Sequence, residues 1–119
     1  MVVMSPADDM EARAMIKAAY EYQGPVYIRF GRAAVPVIHE EGMKFEIGKG
    51  EVLVEGSDVT VIATGMMVAE ALKAAETLKE QGVSARVINI HTIKPLDTEL
   101  VLRAAAETGA IVTAEEHNI

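Results

Sequence analysis

Two hydrophobic periods alternate along this chain. Val59, Val61 and Ile62 form a short β-branched apolar run that stops at Thr64-Gly65, as a buried strand does. The period then becomes helical, with Val68, Ala71, Leu72, Ala75 and Leu78 on one face. Gly82 stands where a glycine ends a helix at C′. A second β-rich run, Ala85 to Ile90, follows. The connection is too long for a hairpin and long enough for a crossover helix, so the two strands are expected to be parallel and the crossover right-handed. The rest of the chain leads into this unit, Asp58 to Leu96, or repeats its shape.

Upstream, Val2 to Met4 reads as the end of a buried strand. Ser5 suits an N-cap, Pro6 the first helical position, and Asp8 and Asp9 the positive end of the helix dipole. That helix is expected to reach about Tyr22, with Met15, Ala18, Ala19 and Tyr22 on one face and Glu11, Arg13, Lys17 and Glu21 elsewhere. Gly24-Pro25 breaks it, and Val26 to Phe30 is the next strand. Downstream, Thr92 to Leu96 reads as a loop and Asp97 as an N-cap. Leu100, Val101, Ala104 and Ala105 give a helical face to about Glu107, Thr108-Gly109 closes that helix, and Ala110 to Ala114 is a third parallel strand.

Gly31 to Glu55 has no helical period and carries Pro36, Gly42, Gly48 and Gly50. It reads as a linker holding a short hairpin, with Phe45 to Ile47 and Glu51 to Val54 as arms around Gly48-Lys49-Gly50. The fold class is therefore α/β, built of parallel-sheet βαβ units. A lone strand and helix do not bury a sheet, so further structure is expected before Val2. Two helices on three parallel strands likewise suggest part of a larger layered domain.

Composition narrows the function classes. Half of the 119 residues are hydrophobic, as in a folded globular chain. No apolar run approaches the ~20 residues of a membrane helix, and Met1 to Met4 lacks the basic flank of a secretory signal. There is no cysteine, which removes disulfides and thiolate metal sites and fits a cytoplasmic protein. A net charge of −7 without a basic stripe excludes nucleic acid as an expected partner.

Gly48-Lys49-Gly50 lacks the spacing of a P-loop, and neither a dinucleotide fingerprint nor a Gly-x-Ser-x-Gly elbow is present. Thr64-Gly65 is a strand-to-helix turn, suited to an anion or simply to tight geometry. His39, His91 and His117 fall in linker, loop and strand-tip contexts, without zinc spacing. His117 beside Glu115 and Glu116 is either tuned by those carboxylates or part of a solvated acidic edge. Arg29 and Arg32 lie at the carboxyl end of the Val26 strand, where arginine binds phosphate well. A salt bridge to a neighbouring carboxylate is the other reading of each.

The segments SPADDMEA, GPVYIRFGR, FEIGKGEVLVEGSDVTVIATGMMVAEAL, ARVINIHTIKPLD and IVTAEEHNI, in this order, resemble the C-terminal half of transketolase. The wording NIHTIKPLD and EEHN is most similar to the separately encoded C-terminal subunit of split transketolases. Deoxyxylulose-phosphate synthase and the β subunits of 2-oxo-acid dehydrogenases share the layout and are the alternatives. The resemblance implies that residues 1–32 end a pyrimidine-binding domain, 33–57 form a linker, and 58–119 form part of a transketolase C-terminal-like three-layer domain. It implies an intact cytoplasmic enzyme of the pentose phosphate pathway, dimeric, moving two-carbon ketol units between sugar phosphates on thiamine diphosphate with Mg²⁺. It further implies an N-terminal subunit or domain as partner, a homo-oligomer, and no catalytic, cofactor or metal residue within this chain. Alone, the chain would be inactive or a non-catalytic assembly module. By the same resemblance Arg32 matches the arginine that holds the sugar phosphate. Arg29 matches a position shared by the synthase and dehydrogenase members.

Overall fold

The structure is a computed structural model and describes residues 1–117; Asn118 and Ile119, which close the IVTAEEHNI stretch, lie outside the described residues. Its elements in chain order are β1 (Val2–Met4), α1 (Asp9–Glu21), β2 (Val26–Ile28), β3 (Glu51–Val54), β4 (Val59–Ala63), α2 (Met67–Glu80), β5 (Ala85–Asn89), β6 (Thr92–Lys94), α3 (Thr98–Glu107) and β7 (Ile111–Ala114). They form a three-stranded sheet in the order β2-β1-β6 and a four-stranded sheet in the order β3-β5-β4-β7. Among the described residues no helix is long and apolar enough to cross a membrane.

The larger sheet is the centre of the molecule. β4 pairs in parallel with both β5 and β7, as the crossover lengths predict. β5 is buried along its whole length because helices cover both its faces. Successive residues of a strand point to opposite faces. Val87 joins Val61 and Ala63 against Val68, Ala71 and Ala75 of α2. Ile88 and Ile90 meet Leu100 and Ala104 of α3. Asp97 caps α3 by accepting from the Leu100 N–H at 3.1 Å, and Gly82 (φ +82°) follows the end of α2.

Several expectations require correction. The first helix starts at Asp9, with Asp8 rather than Ser5 as its N-cap. The Asp8 carboxylate accepts from the Glu11 N–H at 2.9 Å, while the Ser5 N–H donates to the His91 carbonyl. Glu11 is fully buried on the face it was expected to avoid, one turn before Met15. β2 ends at Ile28, two residues short of Phe30.

No hairpin forms around Gly48 among the described residues. Glu51–Val54 instead pairs antiparallel with β5, and Phe45 and Ile47 cover the smaller sheet beside Val2, Met4 and Met15. Thr92–Lys94 is a strand, not a loop, and pairs antiparallel with β1. One strand from the second half of the chain therefore completes the sheet of the first half.

Candidate functional site at the strand tips

The loop after β2 meets the ends of β4 and β7. The Arg29 N–H donates to the Met4 carbonyl at 2.9 Å, which extends the β1–β2 pairing by one step and fixes where the side chain leaves the sheet. The guanidinium then reaches the end of β7. Nη1 lies 3.6 Å from Glu115 Oε1, Nη2 donates to Glu116 Oε1, and His117 Nδ1 is 2.6 Å from Nη2. Arg29 is thus held by an ion cluster 86 to 88 residues away in sequence (115 − 29 and 117 − 29). Of the two readings of Arg29, this is the salt bridge. Arg32, three residues further along the loop, is exposed and makes no ion pair among the described residues.

The turn Thr64-Gly65 sits against the same loop. Gly65 has φ +57°, and a Cβ there would stand 2.9 Å from Ser5 Oγ, so neither the backbone nor the space suits a larger residue. Thr64 Oγ1 is buried without a hydrogen-bond partner among the described residues. A cavity of about 10 Å³ lies between Ser5, Arg29, Thr64, Gly65, Glu115 and Glu116. That volume holds one water. Arg29 is already paired with the two carboxylates that line the cavity, Glu115 and Glu116.

A second polar cluster lies under the first helix, and sequence reasoning missed it. The Ala7 N–H donates to Glu11 Oε2 at 2.6 Å, and Asn89 Nδ2 donates to Glu11 Oε1 at 2.7 Å. Asp8 Oδ2 accepts from the backbone N–H groups of Ile38 and His39, both at 2.7 Å. His39 lies between two carboxylates, with Nδ1 3.0 Å from Asp8 Oδ2 and Nε2 3.2 Å from Glu51 Oε2.

Burial pushes the Glu11 carboxyl up to about 7, against the pull of its hydrogen bonds and of His39. Burial also acts upward on Asp8, but its three backbone hydrogen bonds and the His39 charge together hold it below the ordinary value. His91 is buried and forced down to about 4 by desolvation and by His39. The signal for this cluster was present in the sequence. Asp8-x-x-Glu11 has the spacing of a capping box, and Glu11 lies at the i−4 position from Met15.

Comparison with known proteins identifies relatives over the whole chain. Residues 48–119 match the family described as transketolase, C-terminal domain. The chain is 50% identical over 119 residues to the 6-deoxy-6-sulfo-D-fructose transketolase subunit of Clostridium sp. (strain MSTE9), covering 100% of this chain and 37% of that protein. It is 47% identical over 120 residues to 1-deoxy-D-xylulose-5-phosphate synthase 1 of Geobacter sulfurreducens, covering 98% of this chain and 19% of that one. A solved structure described as a split gene transketolase, inactive beta4 tetramer, superposes with a TM-score of 0.96 at 50% identity, covering 98% of this chain and 39% of that one. The chain therefore spans less than two fifths of the length of these relatives.

Proposed function

This chain belongs to the transketolase C-terminal domain family, and on that footing we propose that it serves as part of the C-terminal subunit of a split transketolase. The observation that carries the proposal is the 50% identity sustained over all 119 residues to a subunit so named. In the assembled cytoplasmic enzyme the reaction is reversible transfer of a two-carbon ketol unit between phosphorylated sugars. Thiamine diphosphate and Mg²⁺ supply the carbanion chemistry when bound, and they belong to the rest of the assembly.

Within this chain Arg32 contacts the substrate phosphate. It lies at the carboxyl end of a parallel sheet, where ligands of open α/β sheets bind, and its planar fork matches two phosphate oxygens. Arg29 anchors the loop that carries Arg32, through Glu115 and Glu116. The section 1–32 ends a pyrimidine-binding domain, 33–57 links, and 58–119 begins the third domain. The partner is an N-terminal subunit. Self-association is expected too, since a 50% identical relative is described as an inactive tetramer. Ile16, Tyr20, Tyr27 and Phe30 are each more than half exposed, which supports burial of these side chains against further protein.

A second reading, deoxyxylulose-phosphate synthase, rests on the 47% identity to such an enzyme. Reconstitution separates the two. The protein containing this chain is mixed with its complementary subunit, thiamine diphosphate and Mg²⁺, then assayed with a ketose phosphate or with pyruvate as donor. Turnover with the ketose phosphate, dependent on both subunits, is the expected result. Turnover with pyruvate alone favours the synthase, and turnover by this chain without the partner overturns the proposal.

A further inference from the structure

Glu11, His39 and Glu51 come from three separate stretches, α1, the connection between the sheets, and β3. One potential ligand atom of each lies within 4.8 Å of the other two. His39 Nε2 and Glu51 Oε2 are 3.2 Å apart. In a tetrahedral centre with bonds of ~2.0–2.2 Å, adjacent ligand atoms are separated by roughly 3.3 Å. This pair already has the length of one edge of such a centre.

The surroundings are those of a metal ligand set. Asp8 Oδ2 lies 3.0 Å from His39 Nδ1 but out of line for a hydrogen bond, so a small rotation of the imidazole would give the arrangement by which an outer carboxylate orients a metal-binding histidine. Each Glu11 oxygen accepts one hydrogen bond and keeps a second lone pair for a cation.

The cluster also contains polar atoms with nothing to bond. The side chain of His39 is 4% exposed, and its Nδ1 has no hydrogen bond of proper alignment among the described residues. Asn89 is fully buried against Glu11, and its Oδ1 likewise has no partner there. Two buried carboxylates, Asp8 and Glu11, and the half-exposed Glu51 surround the His39 imidazole. Access exists on one side, because the Glu51 side chain is 44% exposed.

We propose that Glu11, His39 and Glu51 form a binding site for one divalent transition-metal ion of the zinc class, fastening α1 to β3. One imidazole nitrogen and two carboxylates suit zinc better than the all-oxygen sites of Mg²⁺ and Ca²⁺. The site is built around Asn89, the last residue of β5, and shares no residue with the Arg29–Glu115–Glu116 cluster.

The test uses the purified protein, stripped with a chelator and then freed of it. Zinc chloride is titrated calorimetrically, and thermal unfolding is recorded with and without zinc. One zinc per chain and a raised Tm are expected, with no comparable effect of magnesium. Glu51→Gln, at a half-exposed position that leaves the fold intact by circular dichroism, is expected to weaken binding at least ~10-fold, and His39→Gln to do the same. No heat and no Tm shift would overturn the proposal. So would an affinity unchanged in Glu51→Gln, which would mean an adventitious surface site, or an equal response to magnesium.

Discussion

His91 shows how one residue links packing to pH. Its ring lies against Phe45 with centroids 4.4 Å apart, and its Nδ1 is 3.0 Å from Thr92 Oγ1. Burial and the nearby His39 lower its pKa from 6.5 to about 4. The unfolded chain therefore binds this proton more readily than the folded one between those values. The contribution of a neutral His91 to stability is complete above about pH 6.5 and is lost as the pH falls toward 4. Replacing it by Gln removes that dependence. The stability difference between wild type and His91→Gln, from urea melts of metal-free protein, is expected to narrow by a few kcal/mol on going from pH 7 to 4. A difference that does not vary with pH would mean that His91 binds its proton equally well in the folded and unfolded chain.

Among the elements, the tightest fit is where β3 runs into β4. A Cβ on Gly56 would stand 2.3 Å from the Ala85 carbonyl carbon and 2.4 Å from the Arg86 nitrogen, backbone atoms of β5 that cannot turn aside. Gly56→Ala is expected to cost about 2 kcal/mol or more by forcing β3 off β5, read as a lower urea midpoint. A midpoint equal to wild type would show that the edge strand yields freely. The large elements were legible because each has a long period: α2 with Gly82 behind it, α3 with its Asp97 cap, and the three parallel strands. The short ones were not. Thr92–Lys94 and Glu51–Val54 are three and four residues long, and their pairing partners lie far away in sequence. Glu11 was misassigned because charge suggested solvent, whereas its spacing from Met15 put it on the buried face.

At the scale of the whole molecule, the two halves are interlocked. β6 completes the β1–β2 sheet, the Ser5 N–H bonds to the His91 carbonyl, and Arg29 is tied to Glu115 and Glu116. The loop carrying Arg32 is thereby fixed between both halves of the chain. The position of Arg32 just after a parallel strand was legible from the sequence. The clamp on Arg29 was not, because it depends on β7 coming alongside β4, a contact made only in the fold. Binding energy from a remote phosphate, as proposed here, acts on substrates that carry one and leaves others untouched.

The most direct measurement is steady-state kinetics of Arg32→Ala in the reconstituted two-subunit enzyme, with paired phosphorylated and unphosphorylated aldose acceptors. The expected result is a KM raised by at least ~10-fold for the phosphorylated acceptor, equivalent to loss of a charge-assisted hydrogen bond, and nearly unchanged for the unphosphorylated one. Equal losses on both acceptors would contradict a phosphate-binding role for Arg32.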